Sequence, residues 1–415
     1  GSFIARSKYG RASPLLNTPS IDLGAVRVGA ASPTANVSVS NQATTAPQAA
    51  LNASISSNGA PVTASGSFNL LNPGQTNASS LQVGLNTAVA GNYTGANAGS
   101  ATLTLVSDAS NVGGCASNCQ LNLASQNVSV SGKVYTQAVG QLNTPAVDFG
   151  IVRVGDTVSA RNITVQNGAA ATALNDTLRA SLTGATGAFA PGAAAAGIAA
   201  QGSGQIGVGL NTAAAGVFNQ NAAVVFTSQN ADMADVSAGP NGAVQLRAQV
   251  NNLANADFDL LTGAGLLSNQ GNGTYVLNLG NILQGSSGQW LLQLANDTSG
   301  PADLLRGDFD TSAVDDLALS GWGAVDGLAA GQSQGDLQLD FSAVALGGFQ
   351  DTITFNGFGY NASDRDGLAQ SRQLIIRANV IDANGGGNVP EPGTLGLLLI
   401  AVVGALRARA HRSLH

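Results

Sequence analysis

Leu16-Asn17-Thr18-Pro19-Ser20-Ile21-Asp22-Leu23-Gly24-Ala25-Val26-Arg27-Val28-Gly29 returns, with few changes, as Leu142-Asn143-Thr144-Pro145-Ala146-Val147-Asp148-Phe149-Gly150-Ile151-Val152-Arg153-Val154-Gly155. The shift is 126 residues (142 − 16). At that shift Asn36-Val37-Ser38-Val39-Ser40-Asn41 faces Asn162-Ile163-Thr164-Val165-Gln166-Asn167, which keeps both an alternating strand and the asparagine that follows it. Further on, Val83-Gly84-Leu85-Asn86-Thr87 with Gly91 and Tyr93 matches Val208-Gly209-Leu210-Asn211-Thr212 with Gly216 and Phe218, at a shift of 125 (208 − 83). Chance does not produce two matched segments at nearly one offset, so the chain contains a tandem repeat.

Each unit has the length of one immunoglobulin-like β-sandwich, and its short strands recur between turn residues at the spacing such sandwiches show. A third, diverged unit follows. Leu277-Asn278-Leu279-Gly280-Asn281-Ile282 with Gly285 stands where the Asp-Phe-Gly-x-Val motif belongs, and Trp290-Leu291-Leu292-Gln293-Leu294 with Asn296 takes the place of the alternating strand. Leu337-Gln338-Leu339-Asp340-Phe341 with Gly347 and Phe349 echoes the second shared segment, and Leu374-Ile375-Ile376-Arg377-Ala378-Asn379-Val380 closes the unit. Within the repeated motif, Gly24 and Gly29 supply turn or bulge conformations closed to residues with a Cβ. Leu23, Val26 and Val28 are expected at the core, and Arg27 is expected to point to water. The recurrence of Arg27 at Arg153 is open to a partner-site reading, but a solvated strand face is the more frequent cause, and neither residue is assigned a role.

Composition agrees with an all-β chain. It is 415 residues long, long enough for several cores, with only 9% charged residues. Lys8 and Lys133 are the only lysines and Glu391 the only glutamate, so good surface-helix formers are nearly absent. The few basic residues form no interior stripe that could follow a phosphate backbone, which excludes nucleic acid as an expected partner. No cofactor is expected.

The repeats resemble those of choice-of-anchor D proteins, a bacterial surface family with immunoglobulin-like domains of the ASPM, SPD-2 and Hydin (ASH) type. The shared pattern is Phe-Gly-x-Val-x-Val-Gly, then a Val-x-Val-x-Asn strand, then Gly-x-Phe/Tyr; it covers residues 16 to 255 and weakens beyond. Such motifs specify a fold and no ligand. The expected fold is therefore all-β, made of tandem ASH-type sandwiches plus a short C-terminal hydrophobic helix. Its expected organisation is an N-terminal leader remnant or linker over 1–15, sandwiches over 16–140, 141–255 and 256–382, a Gly-rich linker over 383–388 and a sorting signal over 389–415. Arg6, Lys8 and Arg11 are followed by no apolar stretch, so residues 1–15 do not read as a signal peptide, and a cleaved or truncated leader is expected.

The tail carries a second resemblance. Val389-Pro390-Glu391-Pro392 is followed by an apolar stretch from Gly393 to Leu406 and then by Arg407, Arg409, His411 and Arg412. This order resembles the PEP-CTERM sorting signal, and the chain's sole glutamate sits inside the motif. The resemblance implies an exosortase-like processing enzyme as partner and a transient inner-membrane anchor. It places the basic stop-transfer end in the cytoplasm and the mature protein on the cell surface, or in the extracellular matrix, of a Gram-negative-type bacterium. The apolar stretch, about 14 residues or ~21 Å as a helix, is shorter than the ~20 residues that usually span a bilayer. Snorkelling of Arg407 and local thinning would make up the difference.

Chemistry is sparse. His411 and His415 are the only histidines and lie beyond the apolar stretch, so no repeat holds a histidine for a triad or a metal site. Asp308, Asp310, Asp315 and Asp316 cluster, with Asp303 nearby, and two suitably spaced carboxyls among them could serve a glycosidase. The same cluster, or Asn361, Asp364 and Asp366, could offer oxygens to calcium. Both lack the spacing of a dedicated loop, and clustered aspartates are more often turn and cap residues. Arg306-Gly307-Asp308 spells an adhesion tripeptide that chance explains. Asn-x-Ser/Thr triplets, among them Asn36, Asn296 and Asn361, follow from composition. Cys115 and Cys119 are expected to close a small disulfide loop in an oxidising compartment, with two free thiols in a loop as the bland alternative. The expected function is a non-catalytic structural or adhesive surface protein associated with exopolysaccharide, a biofilm matrix or other surface proteins. The alternative is a carboxylate-dependent polysaccharide-degrading enzyme or a calcium-dependent carbohydrate-binding module.

Overall fold

A computed structural model describes residues 10–44, 47–113, 115, 117–343 and 345–382. The Gly-rich linker, Val389, Pro390, Glu391 and Pro392, the apolar tail and Arg407, Arg409 and Arg412 lie outside the described residues. Among the described residues strands alternate with turns, and the single helical element is the 3-10 turn Gly95–Asn97. The described residues form two compact units, the first drawn from residues 10–150, 157–212 and 218–248, the second from 151–156, 213–217 and 249–382. Among the described residues three separate hydrophobic cores are present, two in the first unit and one in the second.

The three sandwiches share one strand order. In the first, one sheet runs Pro14–Leu16, Thr34–Asn41, Thr76–Leu85, Val62–Leu71; the other runs Ser20–Arg27, Gln126–Tyr135, Gly99–Asp108, Ala50–Ser57. Strand Val62–Leu71 belongs to both, pairing through Val62 to Gly66 with one sheet and through Ser67 to Leu71 with the other. In the second sandwich that crossing strand is two pieces. The sheets are Gly140–Leu142, Arg161–Asn167, Ser203–Leu210, Phe189–Pro191 and Ala146–Arg153, Gly242–Asn251, Gly216–Gln229, Thr177–Thr183, Ala195–Ile198. The third repeats this with Ala256–Thr262, Ser287–Asn296, Ser333–Ser342, Leu317–Ser320 against Thr274–Leu283, Leu368–Ile381, Gly347–Tyr360, Leu304–Ala313, Val325–Leu328. It adds Leu266–Gly271 at the edge beside Thr274–Leu283. A crossing element that joins both sheets leaves fewer unpaired edges, which sheet proteins must otherwise protect.

The repeated motif explains itself in backbone terms. Asp22 Oδ1 accepts from the Gly24 amide at 3.0 Å, Asp148 Oδ1 from Gly150 at 2.8 Å and Asn278 Oδ1 from Gly280 at 2.9 Å. The three glycines have φ of 72°, 73° and 73°. Each motif is thus the same side-chain-closed turn with a left-handed glycine, which inserts a bulge into a strand paired parallel to the last strand of its sandwich in the first and third units of sequence. The diverged third copy keeps it because asparagine caps the turn as aspartate does.

Two expectations need correction. The first sandwich starts before residue 16: Ala12 is buried, its amide donates to Ser107 Oγ at 2.9 Å, and Pro14–Leu16 pairs with Val39 to Asn41. Likewise Ala138 already belongs to the second core and donates to Ser228 Oγ at 2.9 Å. These short segments close the edge beside the Val-x-Val-x-Asn strand, so they are structure and not linker. Val28 is not a core residue; it lies beyond the bulge, 40% exposed.

Candidate functional site

The asparagine after each alternating strand is wholly buried: Asn41, Asn167 and Asn296. Its Oδ1 accepts from a backbone amide of the opening segment (Ser13, Val139 and Asn255, at 3.0, 3.1 and 2.9 Å), and its Nδ2 donates to backbone carbonyls across the sandwich. Each staples the start of its repeat to the core, satisfying backbone groups that burial would otherwise leave without partners.

The recurrent arginine does something else. Arg27 does not point to water. Its Nε donates to Oδ2 of Asp176 at 2.7 Å, with the carboxylate completely buried, and its Nη2 donates to the Ala234 carbonyl at 3.0 Å. Asp176 also accepts from Ser228 Oγ at 2.8 Å and from Asn230 Nδ2 at 2.6 Å. The arginine thus leaves the bulged strand of the first sandwich and ends in a polar socket at the start of the second. All these residues belong to the first compact unit.

The second unit contains the same arrangement one repeat later. Arg153, only 7% exposed, donates through Nε to Oδ2 of the wholly buried Asp303, through Nη1 to Asp364 Oδ2 at 2.7 Å and through Nη2 to the Gly359 carbonyl at 3.3 Å. Oδ1 of Asp303 accepts from Asn251 at 2.9 Å and from Asn361 at 2.8 Å. Burial works against the Arg153 charge, but the hydrogen bonds to Asp303 and Asp364 outweigh it and hold its pKa above the ordinary arginine value. The Gly367 amide, and then Arg153, keep the Asp364 carboxyl below the usual range. The solvated-face reading of Arg27 and Arg153 is therefore wrong, because strand alternation does not govern residues past a bulge.

Equivalence of the two junctions is fixed by backbone bonds. The amides of Asp176 and Asp303 donate to Thr136 and Asn252, as that of Ala49 does to Gly10. On the donor side, Val28, Val154 and Gln284 donate to Tyr135, Asn251 and Ile381, each on the last strand of the same sandwich. Thus Ala49 is the first repeat's counterpart of the socket aspartate, and Leu283 the third repeat's counterpart of the arginine.

The candidate carboxylates do not converge. Asp303 serves Arg153, and Asp310 Oδ1 accepts from the Ser312 amide. The amides of Asp315 and Asp316 donate to the two oxygens of buried Asp351 at 3.2 and 3.1 Å, while Asp308 is exposed on its strand. Asn361 and Asp364, considered above for calcium, are part of the Arg153 cradle. Among the described residues no group of three or more His, Cys, Asp or Glu is placed to hold a metal. Arg306-Gly307-Asp308 lies within strand Leu304–Ala313 and not on a loop; Arg306 stands 4.8 Å over the Tyr360 ring and donates to the Arg365 carbonyl. Cys115 and Cys119 are joined by a disulfide with Cα atoms 5.8 Å apart. Asn296 and Asn361 are buried and cannot carry a glycan in the folded chain. Among the described residues no helix is long and apolar enough to cross a membrane.

No protein-family model and no curated protein matches the chain. Solved structures with distant likeness include a four-domain protocadherin fragment (PcdhgB3 EC1-4), at TM-score 0.44 and 9% identity over 90% of this chain and 76% of that one. The ASH/PapD-like domain 7 of human CEP192 has TM-score 0.23 and 11% identity over 28% of this chain and 87% of that one. A protein of unknown function from Porphyromonas gingivalis W83 has TM-score 0.23 and 11% identity over 58% of this chain and 99% of that one. At these values the likenesses carry no functional argument.

Proposed function

We propose that this chain is a non-catalytic structural or adhesive component of a bacterial envelope or extracellular matrix. The observation that supports it is the pair of equivalent arginine–aspartate junctions, in which buried charge is spent on pairing the bulge of one sandwich with the socket of the next. Convergent, unpartnered carboxylates would be the mark of the polysaccharide-cleaving alternative; here Asp303, Asp364 and Asp351 are committed to neighbours. Low charge and abundant Asn, Ser and Thr leave neutral hydrogen-bonding groups that suit hydrated polysaccharide. The resemblance of the repeats to choice-of-anchor D proteins, and of Val389-Pro390-Glu391-Pro392 with Arg407, Arg409 and Arg412 to a PEP-CTERM signal, points to export. Processing by an exosortase-like enzyme would follow, then residence at the surface or in an exopolysaccharide matrix.

The test is fractionation of cells carrying Glu391→Ala, with binding of the mature protein to the host's own exopolysaccharide measured alongside. Retention of the variant in the inner membrane and co-sedimentation of the mature protein with the polymer are expected. Efficient surface delivery of the variant would remove the sorting reading; cleavage of the polymer by the purified protein would replace the structural one.

A further inference from the structure

The two junctions are built alike, yet the three repeats are not equipped alike. The first sandwich presents an arginine, Arg27, but has no socket: Ala49 stands where Asp176 and Asp303 stand, and Ala109 where Asn230 and Asn361 stand. The latter match follows from Ser107 and Ser228, which both accept from the opening segment of their own sandwich and are followed, two residues on, by Ala109 and Asn230. Both alanines are buried, so the first repeat closes that end with apolar side chains. The second sandwich has both halves, Asp176 with Asn230 as socket and Arg153 as donor. The third has a socket in Asp303 and Asn361, but carries Leu283, 49% exposed, in place of the arginine.

We infer that the arginine and the aspartate–asparagine socket form a directional docking code between sandwiches, in which a repeat accepts the arginine of its predecessor and offers its own to its successor. Donor-only, donor-and-acceptor and acceptor-only repeats satisfy both junctions in the order found here and in no other. A buried carboxylate that loses its cation is expensive, whereas a buried alanine facing no cation is neutral. Any other order would therefore strand Asp176 or Asp303. Leu283 offers no charge to a further socket, and Ala49 with Ala109 offers no socket to a further arginine. The partner that fits each socket is thus the bulge tip of a sandwich of this same type, and the inference is independent of how the protein is sorted.

The guanidinium fork is part of the code. Arg27 reaches Asp176 and the Ala234 carbonyl together, and Arg153 reaches two carboxylates and a carbonyl, which a lysine ammonium cannot reproduce.

The experiment is amide hydrogen exchange on the full chain, followed at Asp176 and Ala138, whose amides donate to the Thr136 carbonyl and Ser228 Oγ. Arg27→Met should speed exchange there at least tenfold, and Arg27→Lys should recover less than half of the loss on a logarithmic scale. Asp176→Asn combined with Arg27→Met should bring exchange back to within about threefold of the native chain, because the stranded charge is gone. As a gain-of-socket control, Ala49→Asp with Ala109→Asn should speed exchange at residue 49 at least tenfold, since it creates a socket with no arginine. Arg27→Met within twofold of native, single effects that simply multiply in the double variant, or a harmless rebuilt socket at Ala49 would each overturn the code.

Discussion

Arg153 and Asp303 are 150 residues apart in sequence, and form a buried ion pair in which the carboxylate is fully shielded and the guanidinium nearly so. Asn251 and Asn361 remain on the other carboxylate oxygen, so removing the arginine would leave neutral donors but no cation. Deleting one member of a buried pair costs ~3 to 5 kcal/mol where the remaining charge cannot reach water. Arg153→Met is expected to lower stability by about 3 kcal/mol, the lower end, because the two asparagines stay. Chemical denaturation with tryptophan fluorescence checks it directly, since both tryptophans, Trp290 and Trp322, lie in the third sandwich. A loss below ~1 kcal/mol would mean that the carboxylate takes up a proton or water with ease.

Asn296 provides a second test. Its side chain accepts from the Asn255 amide and donates to the Asp303 and Leu328 carbonyls, each bond between 2.9 and 3.0 Å. Asn296→Ala leaves three buried backbone groups without those partners, and an unsatisfied buried group costs ~1 to 3 kcal/mol. A loss of roughly 3 kcal/mol is expected in denaturant titration, while Asn36→Ala, at another Asn-x-Ser/Thr triplet, on the alternating strand of the first repeat, should change stability by less than ~0.5 kcal/mol.

The contrast between those residues shows what a sequence reader can and cannot see. The offset of about 126 residues exposed the repeats, and Gly24, Gly150 and Gly280 marked a common bulge, because a left-handed turn narrows the choice of residue sharply. Asn41 and Asn167 recurred as well, but recurrence alone did not say that they staple backbone. Arg27 and Arg153 were misread since a strand's alternation assigned them to solvent, and nothing local announces a partner so distant in sequence. A signal existed. Asp176 and Asp303 recur at almost the same offset as the arginines, so each arginine precedes an aspartate by 149 or 150 residues. Paired recurrence of opposite charges at one spacing is what contact between successive repeats looks like in sequence.

Asp108 should keep its charge to lower pH than an ordinary carboxylate. Hydrogen bonds from Ser110, with Gln120 and Asn52, outweigh the opposing effect of burial and hold its pKa down to about 2, against 3.8 for the free side chain. The unfolded chain therefore binds a proton more readily than the folded one between these values. The carboxylate's contribution is complete above about pH 4 and is lost as pH falls towards 2. Asp108→Asn should flatten that part of the stability profile by ~1 to 2 kcal/mol, a full shift being discounted for solvent screening. Thermal melts of both proteins from pH 5 to pH 2 would show it; parallel profiles would assign the acid response to other carboxylates.

The two kinds of glycine in this fold should separate cleanly under substitution. Gly24 has φ of 72° and nothing within 4 Å of where a Cβ would stand, so Gly24→Ala meets only the intrinsic cost of a left-handed residue, ~1 to 2 kcal/mol. Gly321 sits where the chain leaves strand Leu317–Ser320, which pairs with Ser333–Ser342, on its way to Val325–Leu328 in the opposite sheet. Its φ is 84°, and a Cβ there would lie 1.9 Å from the Asp336 carbonyl oxygen. That oxygen belongs to backbone at the edge of a paired strand and cannot swing aside as a side chain would. Gly321→Ala must therefore push Leu317–Ser320 off its neighbour or break the crossing, with a loss exceeding ~3 kcal/mol and faster amide exchange at Leu319 and Leu339. Gly66, with φ of 110° and a Cβ position 2.0 Å from the Ser80 carbonyl oxygen, occupies the same crossing in the first sandwich and should respond as Gly321 does. Equal, small losses for Gly24→Ala, Gly66→Ala and Gly321→Ala would show that the crossing element is pliable and that its glycines answer to turn geometry alone.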